Sequence, residues 1–206
     1  MKVSISYLKS KEDSLTTIKK INETTGDYLH VDLMDGLFCG ENNYQKEPVL
    51  ALLNESTKKL DIHLMMENPF NTIVDLSILR PMRITIPCEI DNVKDCLLLL
   101  DRLGIEKGLA INPETDIVKI SPYVNEIDFL LVMSVHPGKG GQTFIETTPE
   151  KLKNIRELFH KEIAVDGGIN DFTIKMVRPY VDEVVAGSYI CLSDNYEKMV
   201  KRLKDN

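Results

Sequence analysis

The chain has 206 residues, a length that fits a single domain spanning residues 1–206 with a sizeable apolar core. Its net charge of −7 argues against nucleic acid as a partner, and no segment approaches the roughly 20 apolar residues needed to cross a bilayer. The cysteines Cys39, Cys88, Cys96 and Cys191 show neither CxxC nor zinc spacing, and no secretory signal follows Met1, so they read as reduced, buried thiols of a cytoplasmic protein.

Taken in chain order, short β-rich runs recur about every 20 to 30 residues with helical patterns between them. The first is Val3–Tyr7, followed by Leu15, Ile18 and Ile21 on one helical face. Tyr28–Leu33 comes next and runs through His30-Val31-Asp32-Leu33-Met34-Asp35-Gly36. Leu60–Met65 carries Asp61-Ile62-His63-Leu64-Met65, and Met82–Ile86 and Gly108–Ile111 follow. Phe129–Ser134 continues into Val135-His136-Pro137-Gly138-Lys139-Gly140-Gly141-Gln142. Thr148-Pro149-Glu150 reads as a helix start, with Thr148 as cap and Pro149 as first helical residue. Ile163–Val165 leads to Asp166-Gly167-Gly168-Ile169, and Glu183–Ala186 leads to Gly187-Ser188. Tyr196, Met199, Val200 and Leu203 then share a last helical face.

Eight strands alternating with helices leave a closed (β/α)8 TIM barrel or an open doubly wound sheet. Polar and special residues gather at the C-terminal ends of strands two, three, six, seven and eight. A barrel collects these on one face, where such folds place their sites, so the barrel is the expected architecture.

Side chains alternate along a strand, so His30, Asp32 and Met34 share one face and Val31 and Leu33 the other; His63 and Met65 pair in the same way. Alone, His30 and His63 read equally as core histidines, Asp35 as a turn residue and Asp166 as a helix cap. Together, two acids and two histidines facing the axis of an apolar barrel are costly to bury unless paired or bound to metal. That set suits one divalent ion such as zinc, manganese, iron or cobalt. Gly138–Gly141, Gly167-Gly168 and Gly187-Ser188 follow strands six, seven and eight, where backbone N–H groups can approach a phosphate.

These motifs, in this order and over nearly the whole chain, resemble the ribulose-phosphate 3-epimerases, isomerases of the pentose phosphate pathway in carbohydrate metabolism. The resemblance implies that His30, Asp32, His63 and Asp166 bind a metal and that Asp32 and Asp166 are the acid/base pair. It implies substrate contacts from Ser6, His63, Asp166, Gly138, Lys139, Gly140, Gly141, Gly167, Gly168, Gly187 and Ser188. Met34, Met65 and Met133 match methionines that line the reacting centre. The expected reaction is two-base epimerisation at C3 of a ketose phosphate, D-ribulose 5-phosphate to D-xylulose 5-phosphate, through a metal-stabilised enediolate. Allulose 6-phosphate is the alternative substrate, and a non-catalytic paralogue that binds metal and sugar phosphate is the alternative from another class. Members are often oligomers, which leaves a homo-oligomer open. Departures are Pro87 where the family has a histidine, Lys139 for a commonly aromatic residue, Lys9 for a small one, and Phe38-Cys39-Gly40 for V-P-N.

Overall fold

Residues 1–206 are described by a computed structural model. All eight expected strands form: β1 (Lys2–Ser6), β2 (Tyr28–Met34), β3 (Lys59–Met65), β4 (Arg83–Pro87), β5 (Glu106–Ile111), β6 (Phe129–Met133), β7 (Glu162–Asp166) and β8 (Glu183–Ala186). Each pairs in parallel with the next, and β8 returns to β1 with Val3 opposite Val184. The sheet therefore closes into a barrel in sequence order, which leaves no strand edge exposed.

Period-two alternation gives each strand two buried faces of different character. Outward Leu29, Val31 and Leu33 on β2 and Ile62 and Leu64 on β3 join the apolar layer between strands and helices. The inward face is divided. Phe129, Leu131, Met133, Ala164 and Val185 make the β6–β8 side of the interior apolar except for Glu183 of β8 and Asp166 at the end of β7. Ser4, Ser6, His30, Asp32, Asp61, His63, Arg83 and Thr85 make the β1–β4 side polar, though all are buried. Where β4 meets β5, a Cβ on Gly108 would lie 2.2 Å from the Thr85 hydroxyl, so a side chain at that position would force the strands apart.

The connecting helices are α1 (Ser14–Asn22), α2 (Lys46–Leu53), α3 (Phe70–Leu76), α4 (Val93–Leu103), α5 (Thr148–Leu158), α6 (Thr173–Val177), α7 (Ser188–Cys191) and α8 (Tyr196–Asp205). Asp13 caps α1 by accepting from the Thr16 N–H at 2.9 Å. Between β5 and β6 the chain makes 3-10 turns over Ile117–Tyr123 in place of an α-helix. Pro122 lies within that segment and has no N–H to donate. No helix is long and apolar enough to cross a membrane.

Local details differ from the sequence reading in three places. Leu15 is exposed, and Thr17 joins Ile18 and Ile21 on the buried side of α1, because the helix turns that face toward the strands. Thr148 is the first helical residue of α5 rather than its cap; the cap is Thr147, with no side-chain hydrogen bond, and Pro149 is second. Cys39 is only half-buried, on the loop after β2, whereas Cys88, Cys96 and Cys191 are buried; all four are free thiols.

Candidate active site and metal centre

His30 and Asp32 reach the barrel axis from β2, His63 from β3 and Asp166 from the end of β7. One donor atom from each lies within 4.8 Å of the other three. His30 Nε2 is 3.3 Å from Asp32 Oδ1 and 3.8 Å from Asp166 Oδ2, and His63 Nδ1 is 3.3 Å from the same Asp32 oxygen. His30 is buried, and its Nε2 makes no hydrogen bond. A buried imidazole nitrogen without a partner, aimed at two converging carboxylates, is costly as it stands and is relieved by a cation among them. The two-nitrogen, two-carboxylate donor set therefore fits a divalent metal.

Each of these side chains is held from behind. Ser6 Oγ donates to Asp32 Oδ2 at 2.8 Å, leaving Oδ1 for the two imidazoles. His30 Nδ1 meets Asp61 Oδ2 at 2.7 Å, and Asp61 also accepts from Ser4 Oγ at 2.9 Å and from Arg83 Nε at 2.8 Å. The backbone carbonyl of Asp166 accepts from both the N–H and the hydroxyl of Ser134, each at 2.7 Å, which pins the end of β7.

The two carboxylates differ in how readily they ionise. Burial opposes ionisation of Asp32, but His30 and His63 outweigh it and hold the group well below the usual carboxylate range. Burial, together with the charge of Asp32, pushes Asp166 up to about 6. Burial likewise opposes a charge on His30, yet the Asp61 and Asp32 carboxylates raise it well above the ordinary imidazole value.

Above this cluster the strand ends open onto a cleft that encloses about 550 Å³, its open mouth included. Ser6, Asp32, Met65, Met133 and Asp166 line it, with Gly138, Lys139, Gly140, Gly141, Gly167, Gly168, Gly187 and Ser188. His30 and His63 are not among the lining residues and are buried. Met34 does not line the cleft either; it is buried, and its N–H donates to Asn43 Oδ1 at 2.8 Å. Gly168 has φ +64, and a Cβ there would stand 2.7 Å from the Phe144 backbone nitrogen, so only glycine suits this bend. Lys139 Nζ pairs with Glu41 Oε1 at 3.2 Å, tying the loop after β6 to the loop after β2. Pro87 is the buried last residue of β4 and brings no polar side chain.

Sequence reasoning passed over Asp61, Arg83 and Ser134 as site residues, and did not place Lys9, His136 and Gln142 on the cleft wall. Asp61 was findable, since it stands two residues before His63 and so shares its face. Nothing local in the sequence marks Arg83.

A profile of the Ribulose-phosphate 3 epimerase family matches residues 2–191. The chain is 34% identical to a ribulose-phosphate 3-epimerase of Helicobacter pylori over 215 residues, covering 100% of this chain and 97% of the relative. It is 30% identical to the chloroplastic ribulose-5-phosphate-3-epimerase of Arabidopsis thaliana, covering 98% of this chain and 75% of that one. Among solved structures, KGPDC from Streptococcus mutans superposes with a TM-score of 0.74 at 15% identity, over 99% of this chain and 95% of that one. At that identity the likeness speaks for the barrel alone. The family match is broader: its span runs through all eight strands and contains the four converging side chains, and the chain belongs to the ribulose-phosphate 3-epimerase family.

Proposed function

We propose that this chain interconverts D-ribulose 5-phosphate and D-xylulose 5-phosphate, with Asp32 and Asp166 as a two-base pair. The observation that carries this reading is the meeting of two carboxylates, from β2 and β7, with two imidazoles under an open cleft. His30, Asp32, His63 and Asp166 would hold a divalent ion: zinc, manganese, iron or cobalt. Bound there, it supplies a Lewis acid for the oxygens beside the reacting carbon.

The remaining work falls to side chains and backbone. One aspartate removes the C3 proton, leaving a planar carbon, and the other returns a proton from the opposite side, which inverts the centre. Their roles exchange in the reverse reaction. Ser6 holds Asp32 in one orientation, so the reacting oxygen does not have to reorganise. Met65 and Met133 line the cleft with apolar, polarizable surface and exclude water from the exchanging proton. Backbone N–H groups of Gly167, Gly168, Gly187 and Ser188 take the phosphate, and the Gly138–Gly141 loop covers the sugar.

The test is incubation with ribulose 5-phosphate in D2O, with and without chelator, following deuterium at C3 by NMR. Chelator-sensitive wash-in together with xylulose 5-phosphate supports the reading. Absence of exchange after reloading with each of the four metals rejects this substrate, and repeating the assay with allulose 6-phosphate separates a six-carbon epimerase from a non-catalytic binder.

A further inference from the structure

Beneath the cluster lies a charged group that the proton transfers do not use. Asp61, Arg83 and Glu183 have no solvent exposure. The Arg83 guanidinium is fixed on three sides: Nε donates to Asp61 Oδ1 at 2.8 Å, Nη2 donates to Glu183 Oε1 at 2.8 Å, and its central carbon lies 3.2 Å from the centre of the Phe129 ring. Asp61 Oδ2 faces the other way, toward Ser4 Oγ at 2.9 Å and His30 Nδ1 at 2.7 Å. The two oxygens of Asp61 thus have separate tasks, and every group around them that can donate does so. The proton shared between His30 and Asp61 then sits on Nδ1, which leaves Nε2, the nitrogen facing Asp32 and Asp166, as the one a cation can take.

We propose that Arg83 is a positioning residue: by holding Asp61 Oδ1 it turns the other face of that carboxyl group to His30, and so commits His30 to carry its proton on Nδ1 and offer Nε2 to the cation. This rests on the reading of His30 as a metal ligand. A rigid guanidinium suits the task because its planar fork can satisfy Asp61 and Glu183 at once, which the single ammonium of a lysine does less well. Second-shell partners of this kind fix ring orientation and tautomer in metal sites.

A symmetric carboxylate hides the control that Arg83 exerts; an amide exposes it. In Asp61→Asn, Arg83 Nε still needs an acceptor, so the amide oxygen stays on the Arg83 side and the NH2 faces His30 Nδ1. The imidazole must then place its proton on Nε2, where it blocks the ligand position. In Asp61→Asn/Arg83→Met no guanidinium holds the amide oxygen, and it can turn to the Ser4 side and accept from Nδ1.

The experiment uses the full chain as wild type, Asp61→Asn, Arg83→Met and the double variant. Co2+ affinity is read by chelator competition, and the His30 Nδ1–H by 15N-edited NMR of the metal-free proteins. Asp61→Asn should bind Co2+ on the order of 10- to 100-fold more weakly and lose the Nδ1–H signal. The double variant should recover about tenfold or more of that affinity together with the signal, a rescue that a purely structural role for Arg83 does not produce. A double variant no tighter than Asp61→Asn, still without the Nδ1–H, overturns the proposal. Should the double variant not fold, Asp61→Asn decides alone, since it keeps the Arg83–Glu183 pair; a retained Nδ1–H there is equally fatal. Wild-type chain that binds no Co2+ rejects the ligand reading of His30 instead, and the metal-free NMR comparison still tests Arg83.

Discussion

Asp32 and Asp166 carry the same functional group in opposite surroundings. Asp32 accepts from Ser6 and faces both imidazoles, whereas no side chain donates to the Asp166 carboxylate at the cleft floor. Replacing either carboxylate by an amide of the same shape should lower kcat by roughly 10²- to 10⁴-fold, measured by coupled assay on metal-loaded protein. Met65→Leu should cost less than about tenfold, because it keeps the apolar wall and removes only the polarizable sulfur. Near-normal turnover in either aspartate variant would rule out the two-base scheme. Protons offer a second check. His30 and Asp166 both have raised pKa values, so the metal-free chain holds protons that a metal-bound chain cannot. Cation affinity should therefore fall as pH drops through about 6, the value to which Asp166 is pushed up. Calorimetry in buffers of different ionisation enthalpy should find more protons released per Co2+ near pH 5.5 than near pH 7.5, the difference coming from Asp166.

At the scale of elements, the site depends on loops that strands deliver to one end of the barrel. Gly167-Gly168 can bend directly after β7 because glycine tolerates positive φ, and Phe144 packs against that bend. Gly168→Ala should lose at least about 1–2 kcal/mol in urea unfolding from the left-handed backbone alone. It should also raise KM for the phosphorylated substrate more than it lowers kcat. The strands themselves are legible in the sequence as short β-rich runs, and β1 to β4 add polar residues at alternate positions. His30, Asp32 and His63 follow from that alternation. Other details depend on contacts between distant segments. Leu15 has the right helical phase, yet the rotation of α1 is set by what it packs on, and Thr17 takes the buried place. Thr148 fits a capping pattern one residue late, because Thr147 and Thr148 have equivalent side chains and only the backbone path distinguishes them. Arg83 looks like an ordinary surface residue until β3 and β8 bring Asp61 and Glu183 to it across the interior.

For the whole molecule, the division of the barrel interior matters most. One side is packed with apolar side chains, and the other is a polar wall whose charges lie out of water. A cation bridging β2, β3 and β7 should stabilise the whole closed sheet, because these strands separate on unfolding and the donor set disperses. At a free concentration 100-fold above Kd, linkage gives about 2.7 kcal/mol, a rise in Tm of roughly 5–10 °C for a chain of this size. Scanning calorimetry with Co2+ and then with excess chelator should show the rise and its reversal, and His63→Ala should abolish most of it. The order of the ligands along the chain also bears on biosynthesis. His30, Asp32 and His63 leave the ribosome close together, whereas Asp166 follows about a hundred residues later, some 5–20 s at ordinary elongation rates. During that interval the nascent chain holds three of the four proposed ligands, and Glu183 has not arrived to balance Arg83. On the proposed ligand set, full metal capture would be deferred until the barrel closes, which would tie loading with the ion to completion of the fold.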